Sequence, residues 1–432
     1  MGTMHTRRVF LKSGLTVLSA AVTMPLFLQR TVYALNNPAD APLTQAGMGL
    51  GEQILVVIQM SGGNDGLSTV IPLDNDDYRR ARPQLAIAQN LLGLGNGVAL
   101  HPDLTTFKEL FDVGQMAVIQ GVGYPNPNRS HFRSMEIWHS ADPKNAPKDG
   151  WIGRYFDSQC KGDDPKNYPD AKAGINIGAT APLAMQGSKF TGISFQRPES
   201  YQWFAGNKSV DPKLRAAFNE VNDLHGHEGE MPSTSGNPTL DFLERTAMDA
   251  QLTSDEILAV TTKYRATVSY PGTPLGQQLQ MVAQMMAGGL KTRVYYVSLG
   301  GFDTHSNEKQ SHDRLMQTLS AGIGSFMKDL KNQGNDQKTV VMTFSEFGRR
   351  VAENASRGTD HGTAAPMFVF GPSVKGGVYG AHPSLQRQDL DQGDLKFHTD
   401  FRSVYATILG SWLKADAQKI LGANFPTLPL IG

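Results

Sequence analysis

The chain has 432 residues, and its 40 Lys plus Arg balance 40 Asp plus Glu, so the formal net charge is zero. That balance argues against nucleic acid or an anionic membrane as the main partner, since both call for a basic excess. A hydrophobic content of 40% with 45 glycines excludes a disordered or fibrous chain and fits a loop-rich globular enzyme, built as one large α/β domain or two ordinary ones.

The first element is a targeting signal. Thr6-Arg7-Arg8-Val9-Phe10-Leu11-Lys12 has the twin-arginine pattern of a paired Arg followed by an aromatic residue and Leu. The apolar stretch from Gly14 to Leu28 is too short and too Pro-interrupted for a stable membrane span. Val32-Tyr33-Ala34 offers a signal-peptidase cut. Residues 1–34 are therefore expected to be a signal peptide read by the twin-arginine translocase, leaving a periplasmic or extracellular mature protein without a membrane span. The lone Cys160 allows no intrachain disulfide.

Gln53–Met60 is an apolar run of the kind buried on both faces of a parallel sheet, and it ends in the turn Ser61-Gly62-Gly63-Asn64-Asp65-Gly66. Helical spacing over Leu104–Val113 and a strand at Met116–Gln120 complete a β-α-β unit. A Gly/Pro/Asn loop, Gly121–Asn128, leads to Arg129-Ser130-His131-Phe132, followed by helices at Arg133–His139 and from Gly150. Residues 163–206 read as irregular, with a short strand at Gly192–Phe195, and Leu224–Pro238 as an exposed loop. From Thr239 to Leu290 the spacing is mostly helical. Strands return at Arg293–Leu299, Thr339–Thr343 and Met367–Phe370, with an amphipathic helix around Ser311–Lys331 and a terminal helix at Phe401–Leu413. The alternation predicts a three-layer α/β/α sandwich with a mostly parallel central sheet. Residues 35–432 form its single domain, with an irregular and helical insertion around residues 160–290.

The chemistry concentrates at strand ends, where an α/β sheet binds its ligands. Gly300-Gly301-Phe302-Asp303-Thr304-His305 and Phe344-Ser345-Glu346-Phe347-Gly348-Arg349 each follow a strand, and Gly358-Thr359-Asp360-His361-Gly362 precedes one. Carboxylates and imidazoles gathered from separate strands suit a hydrolytic metal site. Asp303 and His305, two apart in an extended segment, point the same way and can share one ion. Asp65 reads either as a metal ligand or as part of an Asn-Asp-Gly turn. Ser130, before a helix, is a plain N-cap or a metal-activated nucleophile facing an anion at the helix N-terminus. Arg129 and Arg133 flank it as candidate anion-binding groups, and Arg349 is a candidate anion clamp beside Glu346. No nucleophile elbow, P-loop or dinucleotide fingerprint is present, which disfavours esterase, NTPase and Rossmann oxidoreductase readings.

The segments VVIQMSGGNDGLSTVIP, GVGYPNPNRSHFRSMEIW, GGFDTH and FSEFGRRVAENASRGTDHG together resemble the bacterial DUF1501 family, from about Gln53 to Leu413. That family looks like a member of the alkaline phosphatase/sulfatase superfamily. The resemblance implies one or two divalent ions, with Zn, Mn, Mg and Ca all compatible, and a Ser, Thr or formylglycine nucleophile. It implies Asp65, Asp303, His305, Glu346 and His361 as metal ligands and Ser130 as nucleophile. Phe347 follows Glu346 where the superfamily carries His, a departure that weakens the second metal site, and no Cys stands in the nucleophile region to supply formylglycine. The function expected is a secreted metal-dependent hydrolase or transferase acting on a small-molecule or glycan ester of phosphate or sulfate. The alternative is a non-catalytic secreted binding or scaffold protein that keeps the fold and at most one metal.

Overall fold

The structure is a computed structural model, and it describes residues 52–145, 148–160, 169–198 and 255–432. The expected signal peptide and the Leu224–Pro238 loop lie outside the described residues. The strands are β1 Ile54–Ser61, β2 Val70–Pro72, β3 Leu92–Gly95, β4 Val98–Leu100, β5 Met116–Gly123, β6 Gly174–Ile177, β7 Ile193–Phe195, β8 Val294–Gly300, β9 Thr339–Phe344, β10 Ala365–Phe370, β11 Gly377–Tyr379 and β12 Thr399–Asp400. The helices are α1 Gly66–Thr69, α2 Asp76–Ala81, α3 Thr105–Asp112, α4 His131–Ser140, α5 Trp151–Asp157, α6 Pro274–Ala287, α7 Glu308–Gln333, α8 Phe401–Thr407 and α9 Ala417–Leu421.

Nine strands make one sheet in the order β11-β5-β10-β9-β1-β8-β6-β7, with β12 pairing on β5. β1 runs parallel to β8 and β9, while β10 is antiparallel to both β9 and β5. Only β10 is reversed, so the chain leaves β1, β5, β8 and β9 at one edge of the sheet and enters β10 at that same edge. The expected β-α-β unit holds in direction, but β10 and β9 stand between β5 and β1. Its crossover also carries a small three-stranded sheet, β2-β4-β3, that short polar-interrupted runs did not announce.

Alternation along β1 sorts the core into two layers. Ile54, Val56, Ile58 and Met60 pack with Phe107 of α3, Leu279 of α6 and Met316 and Phe326 of α7. Leu55 and Val57 pack on the opposite face with Trp138 of α4, Trp151 of α5 and Tyr405 of α8. Period-2 residues buried on both faces require helices on both sides, and the three-layer α/β/α architecture follows. The expected terminal helix is α-helical to Thr407 and then widens into a π turn over Ile408–Trp412, where the Trp412 indole N–H reaches the Ile54 carbonyl at 2.9 Å. No helix among the described residues is long and apolar enough to cross a membrane.

Candidate metal centre

The turn after β1 must pass very close to the turn after β8. At Gly62, with φ of +122°, an added Cβ would lie 2.4 Å from the Asp303 backbone nitrogen, so only glycine permits the approach. Arg349, after β9, staples these turns together. Its fully buried guanidinium donates to the carbonyls of Gly63 (2.8 Å), Thr359 (2.9 Å), Phe302 (2.9 Å) and Gly62, and to Asp303 Oδ1 at 2.6 Å. A short antiparallel bridge between Arg349 and His361 sets the latter opposite. The expected role of Arg349 as a substrate clamp is therefore corrected. Each of its three nitrogens donates to the protein, and it fixes Asp303 instead.

Around Asp303 stand three histidines. His361 Nε2 is 3.0 Å from Asp303 Oδ1, His305 Nε2 is 3.0 Å from the same oxygen, and His131 Nε2 is 3.4 Å from Oδ2. His131, Asp303 and His361 each offer one ligand atom within 4.8 Å of the others, and can hold a metal ion. Each imidazole is tied on its far side to an oxygen. His131 Nδ1 lies 2.8 Å from Glu346 Oε1, His305 Nδ1 3.1 Å from Asp360 Oδ1, and His361 Nδ1 2.8 Å from the Arg129 carbonyl. In the tautomer that carries its N–H on Nδ1 and donates it to that oxygen, each neutral ring presents a bare Nε2 to Asp303.

Three lone pairs thus converge on one carboxylate. His305 Nε2 and His361 Nε2 are 2.9 Å apart with no proton assigned between them, and the solvent-shielded His131 Nε2 meets no hydrogen-bond partner among the described residues. Such a contact is repulsive unless a ring is protonated or a cation sits between the nitrogens. Tetrahedral Zn with N and O ligands spaces them about 3.3 Å apart, close to the separations seen. The residues present fit a divalent ion held by His131, Asp303 and His361, with His305 Nε2 alongside at 2.9 Å from His361 Nε2. Burial opposes ionisation of Asp303, but its charged and hydrogen-bonding neighbours, the Arg349 guanidinium first among them, outweigh it and hold the carboxyl well below its usual range.

Glu346, expected as a ligand, is corrected to a supporting carboxylate. It is buried, and its Oε1 accepts the Gly62 N–H at 2.9 Å and the His131 Nδ1–H. A carboxylate behind a ligating imidazole fixes its tautomer and raises its basicity. His131 itself was passed over in the sequence, although its place beside Ser130 at a strand-loop-helix junction was the available signal. Phe347, the residue that departs from the superfamily pattern, packs its ring against His131 and His361 at centroid distances of 4.9 and 4.7 Å.

Asp65, also expected as a ligand, is not brought into the cluster. Arg82, fully buried just after α2, donates Nη1 to its Oδ2 at 2.5 Å and Nη2 to its Oδ1 at 2.8 Å. Burial opposes the charge on Asp65, yet Arg82 holds its carboxyl well below the usual range. Next to this pair, Glu308 and His312 lie one turn apart on α7. Burial, then the negative charge of Asp65, pushes Glu308 up to about 8. Burial lowers His312 to about 4. His312 turns to the Thr69 hydroxyl at 3.3 Å rather than to the metal cluster.

Ser130 holds the N-cap position of α4, but its side chain makes no capping hydrogen bond and is exposed. It stands between Arg129, whose carbonyl holds His361, and His131. Arg129 and Arg133, expected to bind substrate, have other partners. Arg129 donates to buried Asp394, and Arg133 turns along α4 to Glu136 and to the carbonyls of Pro143 and Asn145. For Arg133 this corrects the expected contact, since its guanidinium closes the loop after the helix.

Fold and site together define a three-layer α/β protein with a histidine–carboxylate centre at the carboxyl edge of a mostly parallel sheet. Residues 52–422 match the family model described as a protein of unknown function, DUF1501, and the chain belongs to that family. No curated protein matches the sequence. The chain is similar to a sulfatase from Pseudoalteromonas sp., at 9% identity over 87% of this chain and 70% of that one, with a TM-score of 0.36. It is similar to the phosphonate monoester hydrolase of Agrobacterium radiobacter at 9% identity, covering 86% and 78%, with a TM-score of 0.38. It is also similar to a protein in the alkaline phosphatase superfamily from Vibrio parahaemolyticus at 10% identity, covering 98% and 78%, with a TM-score of 0.32. Likenesses at this level assign no residue and no activity to the present chain.

Proposed function

We propose that the protein is a divalent-metal-dependent hydrolase or transferase of phosphate or sulfate esters, with Ser130 as nucleophile. The observation that carries this is the convergence of three imidazole Nε2 atoms on Asp303, one of them from His131, whose chain neighbour Ser130 has a side chain that caps nothing. A divalent ion held there would polarise the ester oxygens and lower the pKa of a nearby hydroxyl. Glu346, Asp360 and the Arg129 carbonyl orient the three imidazoles, and Arg349 keeps Asp303 ionised. The uncapped N-terminus of α4 presents backbone N–H groups to a tetrahedral oxyanion.

Ser130 Oγ attacks phosphorus or sulfur and loses its proton to solvent. The P–O or S–O bond to the leaving alcohol breaks, and that oxygen takes a proton from water. Water then attacks the group on Ser130, the Oγ bond breaks, and the inorganic anion departs. An alcohol in place of water makes the same step a transfer. In this reading the protein works in the periplasm or outside the cell, exported folded on its Arg7-Arg8 signal.

The test is elemental analysis of protein from its native compartment, with turnover of aryl phosphate, phosphodiester and sulfate esters by wild type and Ser130→Ala. Bound metal in both proteins with turnover in wild type alone is the expected result. Wild-type turnover in the variant would reduce Ser130 to a helix start. Metal without turnover in wild type would favour the second reading, a binding protein. The occupation of Asp65 by Arg82, which removes a ligand from any second ion, already points in that direction.

A further inference from the structure

Arg129 and Arg350 each adjoin a residue of the cluster. The Arg129 carbonyl holds His361 Nδ1 at 2.8 Å, and the Arg350 N–H donates to the Asp360 carbonyl at 3.0 Å. Their guanidinium groups converge on the fully buried carboxylate of Asp394. Arg129 donates Nε to Oδ2 at 2.8 Å and Nη2 to the same oxygen, while Arg350 donates Nε to Oδ1 at 3.2 Å. Arg350 Nη2 reaches the Gln392 carbonyl at 2.9 Å. Among the described residues, no acceptor meets Nη1 of either arginine. The two side chains are 38% and 39% exposed.

Two positive charges on one negative charge leave a net positive charge on this anchor. A carboxylate satisfied on both oxygens holds the guanidinium planes in place, so a ligand meets preorganised donors rather than free surface arginines. Among the described residues no protein acceptor uses these N–H groups, and the backbones of both arginines bond to residues of the proposed reaction centre. Planar forks of this kind suit phosphate, sulfate and carboxylate alike.

We propose that Arg129 and Arg350 form a subsite for a second oxyanion carried on the same substrate as the ester that Ser130 attacks. Polyanionic esters would then be preferred over simple monoesters. This rests on the reading of Ser130 and the histidine cluster as an active site. It narrows the substrate class to molecules bearing two or more anionic groups.

Calorimetric titration of the metal-loaded full chain at low ionic strength tests it, with phenyl phosphate and resorcinol bisphosphate as probes. Charge-assisted hydrogen bonds of this kind correspond to about tenfold in affinity. Wild type should therefore bind the bisphosphate about tenfold or more tightly than the monophosphate, and Arg350→Gln should bring that ratio towards one. In this variant Arg129 still pairs with Asp394, so the fold is retained. Arg350→Lys, which keeps the charge, should keep part of the ratio. An unchanged ratio in Arg350→Gln, equal weakening of both probes, or no preference in wild type overturns the subsite. Turnover followed in parallel separates the two readings. A preference without ester cleavage would leave the subsite standing and sink the hydrolase, whereas cleavage without preference would do the reverse.

Discussion

Replacing Asp65 by Ala separates a metal ligand from a structural carboxylate. In the structure every donor of buried Arg82 has an acceptor. Nε goes to the Val351 carbonyl at 2.9 Å, Nη1 to Asp65 and to Ser68 Oγ at 3.1 Å, and Nη2 to Asp65 and to the Arg350 carbonyl at 2.8 Å. Removing Asp65 strands a buried cation, which typically costs about 3–5 kcal/mol. Glu308 stands beside the pair and ionises more readily once Asp65 is gone, so the lower end of that range is expected. With an unfolding entropy of ~2.1 cal/mol/K per residue over the matched region of residues 52–422, the melting temperature should fall by about 4 °C. Because the folded pKa of Asp65 is depressed, the pair stabilises the protein above the ordinary carboxyl range and is lost as pH falls. The deficit of the variant should therefore shrink in acid. Thermal unfolding and metal content would be measured together, and metal content should not change. A variant that melts like wild type but has lost its metal would show that Asp65 is a ligand after all.

Glu346→Ala should weaken metal binding about 10–100-fold in competition with a chelator, and Glu346→Gln, whose carbonyl can still accept from His131, should weaken it less. Unchanged affinity in the Ala variant would remove Glu346 from the support of the site. Glu308, raised from 4.5 to about 8 in the folded protein, holds a proton there that the unfolded chain has released. Stability should accordingly fall as pH rises from about 4.5 to 8, by up to about 1.4 kcal/mol per unit. Glu308→Gln should flatten that slope, and an identical pH profile in denaturant unfolding would count against a proton on Glu308. Replacing Arg7 and Arg8 together with Lys should leave folded, uncleaved protein in the cytoplasm, since the translocase reads the Arg pair and not charge alone. Normal export seen by cell fractionation would refute the twin-arginine assignment.

The sequence alone determined where chemistry could gather. Apolar runs buried on both faces, with glycines in the adjoining turns, marked the carboxyl ends of β1, β8 and β9 and the start of β10. Those junctions do meet at one edge. Asp303, His305 and His361 were legible because strand period and neighbouring glycines act over a few residues. Other features rest on contacts with no local signature. Asp65 and Glu346 look alike as carboxylates after strands, yet Asp65 meets an arginine at the end of α2, and Glu346 meets His131 at the start of α4. Arg349 reads as an anion clamp and is in fact buried, its guanidinium bonded to backbone carbonyls from three turns and to Asp303. The choice between ligand, support and staple depends on which charge lies opposite a side chain in a water-poor interior. Only tertiary packing places that charge, because an unpaired buried ion would cost more than any local preference supplies.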